Sequence, residues 1–321
     1  MEAAERSGAE ILSLDSMKIY RGLDIGTAKP SAADRARVRH HALDLVDPTE
    51  EFNVFRYMAA ADAAIAQARA RGRRVIVSGG TALYAKALLE GLFEGPPADA
   101  ALRARWEGLA RAEGPERLHG ELARRDPAAA AKIHPRDVRR LIRALEVAET
   151  TGAPVSARQT QWRGFHGASG PASGRRFRYG FALVRLAWPR AELRRRIARR
   201  VERMTAAGLV DEARWVWTRR ASLARGPLQA VAYKEFFAFF EGRATAGECA
   251  AELVLRTGQL VKAQETWFRK FPGRALPMSD AIDADALLAA WDAAAAEYPE
   301  AFRAEMPRER GGGETETASG P

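Results

Sequence analysis

The chain has 321 residues, 47% hydrophobic and 29% charged, enough to bury a sizeable core as two domains or as one domain with a large insertion. Lys and Arg number 51 against 41 Asp and Glu, giving a formal charge of +10 and a pI near 10.1. That balance favours a polyanionic partner, nucleic acid or a phosphorylated substrate, with a basic, Arg-rich proteome as the equal alternative. A single cysteine, Cys249, excludes a disulfide framework and a cysteine-based zinc site. No run of 18 apolar residues occurs and "MEAAERSGAE" lacks a signal-peptide core, so a cytoplasmic location without membrane association is expected.

Taken in chain order, "ILSL" (11–14) reads as a buried strand and "FRYMAAADAAIAQARARG" (55–72) as an Ala-rich helix stopped by Gly72. "RVIVSGG" (74–80) reads as a second buried strand and "TALYAKALLEGL" (81–92) as a helix. Strand, turn and helix in alternation predict an α/β fold with a doubly wound parallel sheet, whose chemistry sits at the carboxyl ends of the strands. Asp15 and the Gly79-Gly80-Thr81 turn both fall on that edge. "GPPAD" (95–99) breaks the pattern, and helices are predicted over 101–113, 116–125, 137–151, 190–207, 209–224 and 245–270, with one strand at 177–186. A flexible loop is expected at 164–174 and a disordered low-complexity tail at the end. The expected domains are residues 1–98 and 177–275 as two parts of one α/β core, 99–176 as a helical insertion and 276–321 as a C-terminal extension.

Several residues carry chemistry. An Asp that ends a buried parallel strand caps the next turn, binds a metal or acts as a base, and capping is the commonest of the three. The following "YRGLDIGTAKP" (20–30) shifts the balance by gathering backbone amides, a hydroxyl and cations beside Asp15. In "SGGT" the glycines let backbone approach an anion, and Thr81 stands at a helix N-terminus, although a tight turn with an N-cap would read the same. Ten arginines and one acid, Glu192, lie between Arg175 and Arg200. On a helix over 190–207, Leu193, Ile197, Val201 and Met204 form an apolar stripe with Arg200 at its edge, while Arg195 and Arg199 point away. A guanidinium turned toward the core requires an anionic partner, protein or ligand. Arg139, Arg140 and Arg143 fall within about one helical turn and fit a phosphate-positioning surface.

Together these pieces resemble the tRNA dimethylallyltransferase family. The matching blocks are "DSMKIYRGLDIGTAKP" (15–30), "HHALDLVDP" (40–48), "GGTALYAKALLEGL" (79–92), "PADAALR" (97–103), "KIHPRDVRRLIRALEVAETTG" (132–152), "RIARRVERMTAAGLVDEA" (196–213), "QAVAYKE" (229–235) and "QETWFRKF" (264–271). The resemblance implies a P-loop NTPase-like parallel-sheet core with a mainly helical inserted domain. It implies transfer of a dimethylallyl group from dimethylallyl pyrophosphate to N6 of the adenosine 3′-adjacent to the tRNA anticodon. Asp15 then matches a general base toward the adenine amine, and Arg200 the arginine that neutralises the departing pyrophosphate. Ser16, Met17 and Lys18 match the strip beside the flipped-out base. Thr81 and Arg103 match RNA contacts, as do Arg139, Arg140, Leu141, Ile142 and Arg143, and Gln229, Ala230, Val231, Ala232, Tyr233 and Lys234. The helical insertion would grip the anticodon stem-loop. Mg2+ is the implied cofactor, and a monomer is expected.

The family begins with a strand and a G-x-x-x-x-G-K-[ST] phosphate loop, and this sequence contains neither. The expectation is a start placed too far downstream or a shortened chain, leaving the Ser/Thr ligand for Mg2+ unnamed and a groove open in the sheet. Arg136, Ala232, Gly258 and Ala263 also depart from the pattern; at 232 a Gly is usual. Two rival readings are an isopentenyltransferase acting on free adenine nucleotides and a non-catalytic RNA-binding remnant.

Overall fold

The computed structural model describes residues 1–92, 95–158, 177–279 and 283–299. The loop expected at 164–174 and the tail expected to be disordered lie outside them. The chain divides into two compact units, one formed by residues 1–89 with 177–321, the other by 90–176. The first break thus falls after Leu89, ahead of the position expected after residue 98.

In the first unit, α1 (Glu2–Ser7) leads through Gly8 into β1 (Glu10–Leu14). All five residues of β1 are buried, as a strand covered on both faces must be. It pairs in parallel with β2 (His40–His41) on one side, Ile11 opposite His40. After α2 (Val54–Ala70), β3 (Val75–Gly79) pairs with β1 on the other side, in register from Glu10–Val75 to Leu14–Gly79. α3 (Ala82–Glu90) follows. The sheet order is therefore β2-β1-β3, all parallel. The two-residue β2 escaped the sequence reading because a pair this short has no alternation to show.

The second unit packs α4 (Ala100–Glu113), α5 (Pro115–Arg125) and α6 (Val138–Thr151) around Trp106, Leu118, Leu122, Leu141 and Leu145. Glu90, Asp126 and Glu146 are buried in it. Glu146, fully enclosed, accepts from the Asp99 N–H at 2.8 Å, from Arg103 at 2.8 and 2.9 Å and from Arg143 at 2.5 Å. Burial opposes its ionisation, but the donors of Arg103, Arg143 and Asp99 prevail and hold the carboxyl below its usual range.

The chain then returns to the first unit. The predicted strand at 177–186 is shorter and later, β4 (Val184–Ala187), and is followed by α7 (Arg190–Ala206) and α8 (Leu209–Thr218). The helix predicted to reach 224 stops at Thr218, where the chain turns and the Ala224 N–H donates to the Pro48 carbonyl at 2.8 Å. Next come α9 (Arg225–Gln229) and α10 (Ala246–Phe268), the latter opened by a Thr245/Glu248 capping box. β5 (Arg274–Pro277) pairs in parallel with β4, and α11 (Ala284–Glu297) packs on α1, β4 and β5. Residues 276–297, expected as an extension, thus help to build this unit.

The two sheets do not meet. Val77 of β3 is 41% exposed and Leu186 of β4 is 40% exposed. Between them lies a groove of about 1630 Å3, lined by β3, β4, α10 and α11 residues including Val261, Phe268, Leu288 and Trp291. The expected open groove is present among the described residues.

At the amino end of β1, Glu10 receives Arg71 at 3.0 and 2.8 Å and lies 2.6 Å from His41 Nε2. The Arg71 hydrogen bonds, opposed by burial and helped by His41, pull its pKa from 4.5 to about 2. A depressed carboxylate stabilises the fold above its unfolded value and loses that contribution as pH falls through the folded one. The Tm gap between the parent and Glu10→Gln should therefore be widest above pH 4.5 and shrink toward pH 2. A gap that stays constant on acidification would refute the pairing.

Candidate active site

Asp15 is the first residue past β1, at the carboxyl edge of the sheet. Its Oδ1 accepts from the Met17 N–H at 2.7 Å and the Lys18 N–H at 3.3 Å, closing the turn. The capping role is thus filled by one oxygen, and Oδ2 has no hydrogen-bond partner among the described residues. The neighbouring β3–α3 turn locks this crossing in place. The Thr81 N–H donates to the Leu14 carbonyl at 3.1 Å, and Thr81 Oγ1 accepts from the Ser16 N–H at 3.1 Å. As acceptor in that bond, the Thr81 hydroxyl keeps its own proton to donate.

Both glycines of the turn answer to close approach. A Cβ at Gly79 would stand 2.3 Å from the Leu14 carbonyl oxygen, and one at Gly80 would stand 2.0 Å from the Gln264 side chain of α10. "SGGT" therefore brings β1, the turn and the "QETWFRKF" helix together. Beneath them, Tyr57 donates to the Ser13 carbonyl at 2.9 Å and stacks on Tyr84 at 4.1 Å.

The polar loop after Asp15 is braced from below. Glu212 of α8 accepts from the successive N–H groups of Asp24, Ile25 and Gly26, each at 2.9 Å, and from the Tyr233 hydroxyl at 2.6 Å. The Tyr233 ring lies where a Cβ on Gly26 would fall, 2.5 Å away. Lys29, with only 1% of its side chain exposed, donates to the Tyr20 carbonyl, Asp24 and Asp44 at 2.5, 2.7 and 2.6 Å. Sequence reasoning missed Glu212 and Gln264, whose partners lie far away in the chain, and Asp44, which pairs with Lys29 and Arg35. It counted Lys29 with the chemistry, whereas the structure uses it as a buried brace.

Two cations share the electrostatic field of Asp15. Burial lowers the pKa of Lys18, Asp15 opposes that shift, and Arg200 and Lys29 reinforce it. Crowding at the groove wall desolvates Arg200 in part and likewise lowers its pKa, with Asp15 opposing and Arg203 adding, although the side chain is exposed. Neither Lys18 nor Arg200 forms an ion pair among the described residues. Ile197, Val201 and Met204 are buried as the helical phase requires, and Arg195 and Arg199 both pair with Glu192, at 2.8 and 2.9 Å. One expectation is corrected. Arg200 is not driven into the core but lines the open groove, because α7 carries the stripe that turns past it into the protein.

The remaining matched residues divide by burial. Arg139 and Arg140 are exposed, but Leu141 and Ile142 belong to the helical core, so their side chains cannot reach RNA. Arg103 and Arg143 are held by Glu146. Gln229 and Lys234 are exposed, Val231 is half-buried, and Ala230, Ala232 and Tyr233 are buried. In each case one face of a turn or helix is spent on packing. Among the described residues no three His, Cys, Asp or Glu side chains are grouped to hold a metal. No helix among them is long and apolar enough to cross a membrane.

Comparison with known proteins points to one family. Residues 18–271 match the family model described as IPP transferase. The tRNA dimethylallyltransferase of Myxococcus xanthus is 44% identical over 275 residues, covering 84% of each chain. That of Geobacillus kaustophilus is 40% identical, covering 87% of this chain and 85% of its own. Among solved structures, the tRNA isopentenylpyrophosphate transferase of Bacillus halodurans superposes with a TM-score of 0.63 at 33% identity, covering 94% and 91% of the two chains. A eukaryotic dimethylallyltransferase acting on tRNA superposes with a TM-score of 0.71 at 23% identity, covering 96% and 76%, and supports the fold.

Ala232 adopts φ 115°, a left-handed conformation that costs a non-glycine residue about 1–3 kcal/mol. It is buried, and its N–H is committed to Glu235 at 2.9 Å, so the backbone cannot relax freely. Ala232→Gly should raise the Tm, the gain being trimmed by the extra unfolded-state freedom of glycine, about 0.5–1 kcal/mol. A lower Tm would show that the conformation is not strained.

Proposed function

Because the chain belongs to the tRNA dimethylallyltransferase family, we propose that it transfers a dimethylallyl group from dimethylallyl pyrophosphate to N6 of the adenosine 3′-adjacent to the tRNA anticodon. The observation that carries this reading is a strand-end carboxylate with one oxygen tied to its turn and the other without a partner, in the field of two cations that lack ion pairs. The adenine N6 attacks the allylic carbon, forming a C–N bond as the C–O bond to pyrophosphate breaks and the electron pair leaves with the phosphate oxygen. The surplus N6 proton passes to Asp15, whose turn leaves one carboxylate oxygen unpartnered. Arg200 meets the charge that grows on the leaving group. An adenosine in a loop is extruded at lower cost than one in a duplex. The exposed Arg139 and Arg140 of the helical unit favour an RNA over a free nucleotide.

Mg2+ would add positive charge at the pyrophosphate when bound. The 321 residues hold no G-x-x-x-x-G-K-[ST] sequence, and Arg200 alone is poor compensation for aligned amides, a Lys and a metal. The groove between β3 and β4, with one free strand edge on each side, is where such a strand and loop would fit. A chain extended before Met1 by that segment should turn over faster than the 321-residue chain. Equal rates would show that the loop is dispensable.

In the extended chain, Asp15→Ala should slow single-turnover prenyl transfer by on the order of 10²–10⁴ while tRNA affinity is kept. A rate within a few-fold of the parent would remove Asp15 from the chemistry. Arg200→Ala should weaken allylic pyrophosphate binding and slow transfer, and Arg199→Ala, paired with Glu192 on the outer face, should do neither. Like behaviour of the two variants would reduce Arg200 to surface charge.

A further inference from the structure

From Ala213 to Lys234 the sequence carries five cations, Arg214, Arg219, Arg220, Arg225 and Lys234, and no Asp or Glu. All five are exposed, and none forms an ion pair among the described residues. Several arginines elsewhere are neutralised locally, Arg195 and Arg199 by Glu192, Arg256 by Glu252, and Arg117 by Glu113 and Glu121. Here three of them are held by rings instead. Arg219 stands over Trp215 at 4.7 Å, Arg220 over Trp217 at 4.3 Å and Arg214 over Phe240 at 4.7 Å, with Trp217 and Phe240 themselves 5.6 Å apart.

The acids flanking this run leave the charge largely uncompensated. Glu212 is taken by the loop amides and Tyr233, Glu235 by the Ala232 N–H, and Glu51 accepts the backbone N–H of Arg225. Asp211, in the first turn of α8, and Glu51 are exposed acids beside them. A guanidinium stacked on a ring is ordered without being discharged, and its remaining N–H groups are left for phosphate oxygens, Arg220 spending one on the Trp217 carbonyl at 2.6 Å. Exposed Trp215 adds a face on which a base can stack.

We propose that the exposed side of α8 and the turn into α9 form a contact surface for the sugar–phosphate backbone of the substrate RNA, outside the reacting centre. The surface rests on the reading of the chain as a tRNA-modifying enzyme and adds to it residues that none of the family motifs contains, Arg214, Trp215, Arg219 and Arg220. Its chemistry is non-specific: it sets affinity and salt dependence, and leaves the choice of adenosine to the centre around Asp15.

Titration of labelled tRNA against the 321-residue chain and its Arg214→Gln/Arg219→Gln/Arg220→Gln variant, over a range of salt concentrations, tests the surface. Each phosphate contact contributes about 0.7–0.9 to the log–log slope, so the triple variant should flatten it by roughly 2. Lys at the same three positions should recover most of the slope, and the control Arg195→Gln/Arg199→Gln should keep it. An unchanged slope in the triple variant, or an equal loss in the control, overturns the surface. A parent chain that does not bind tRNA at all overturns the substrate reading and the surface with it.

Discussion

The active edge depends on one crossing, where the chain leaving β1 is tied to the chain leaving β3. Parallel pairing brings Leu14 opposite Gly79, and the two bonds made by Thr81, to the Leu14 carbonyl and from the Ser16 N–H, fix the peptides on either side of Asp15. The carboxylate can then spend one oxygen on its own turn and still present the other. Glycine is required at 79 because β1 backbone occupies the space of its Cβ, and at 80 any larger residue would displace the Gln264 side chain. A motif that reads in sequence as an anion cradle is, in space, first a clamp.

Everything in the loop beyond that crossing is held by charges facing inward. Three successive amides converge on Glu212, and Lys29 is enclosed by a carbonyl and two carboxylates. Both Glu212 and Lys29 have several partners each, as a low-dielectric interior demands. The core under the loop, with Leu23, Val201, Leu209, Tyr233 and Phe236, supplies the burial that makes these pairings strong. The helical unit repeats the device with Glu146, which fixes Arg103 and Arg143 in place. Such fixed arginines position the backbone around them as much as they offer charge outward.

Much of this was legible in the sequence. The apolar runs of β1 and β3, the helical phase that separates Arg200 from Arg199, and the Asp15 and Gly-Gly-Thr edge all follow from local periodicity. The family blocks supplied the chemistry. What could not be read was non-local. His40–His41 is too short to signal a strand, and β5 ends on Pro277 and becomes a strand only through its pairing with β4. Glu212 sits in a matched block with no hint that its partners lie in the loop after residue 23. Motif matching also swept in Leu141, Ile142 and Tyr233, whose side chains serve packing. Conversely, the strain at Ala232 was foreshadowed, since a position that usually holds Gly proves to have a left-handed backbone.

The clamp is tested most directly by the single-turnover prenyl-transfer rate of Thr81→Ser and Thr81→Val in a chain carrying the phosphate loop. Serine keeps the oxygen that receives the Ser16 N–H, whereas valine keeps the shape and removes it. The expected result is a rate close to the parent for serine and a loss for valine in the direction of the Asp15 variant, with both proteins folded. Equal rates for serine and valine would contradict the clamp as the interaction that aims Asp15.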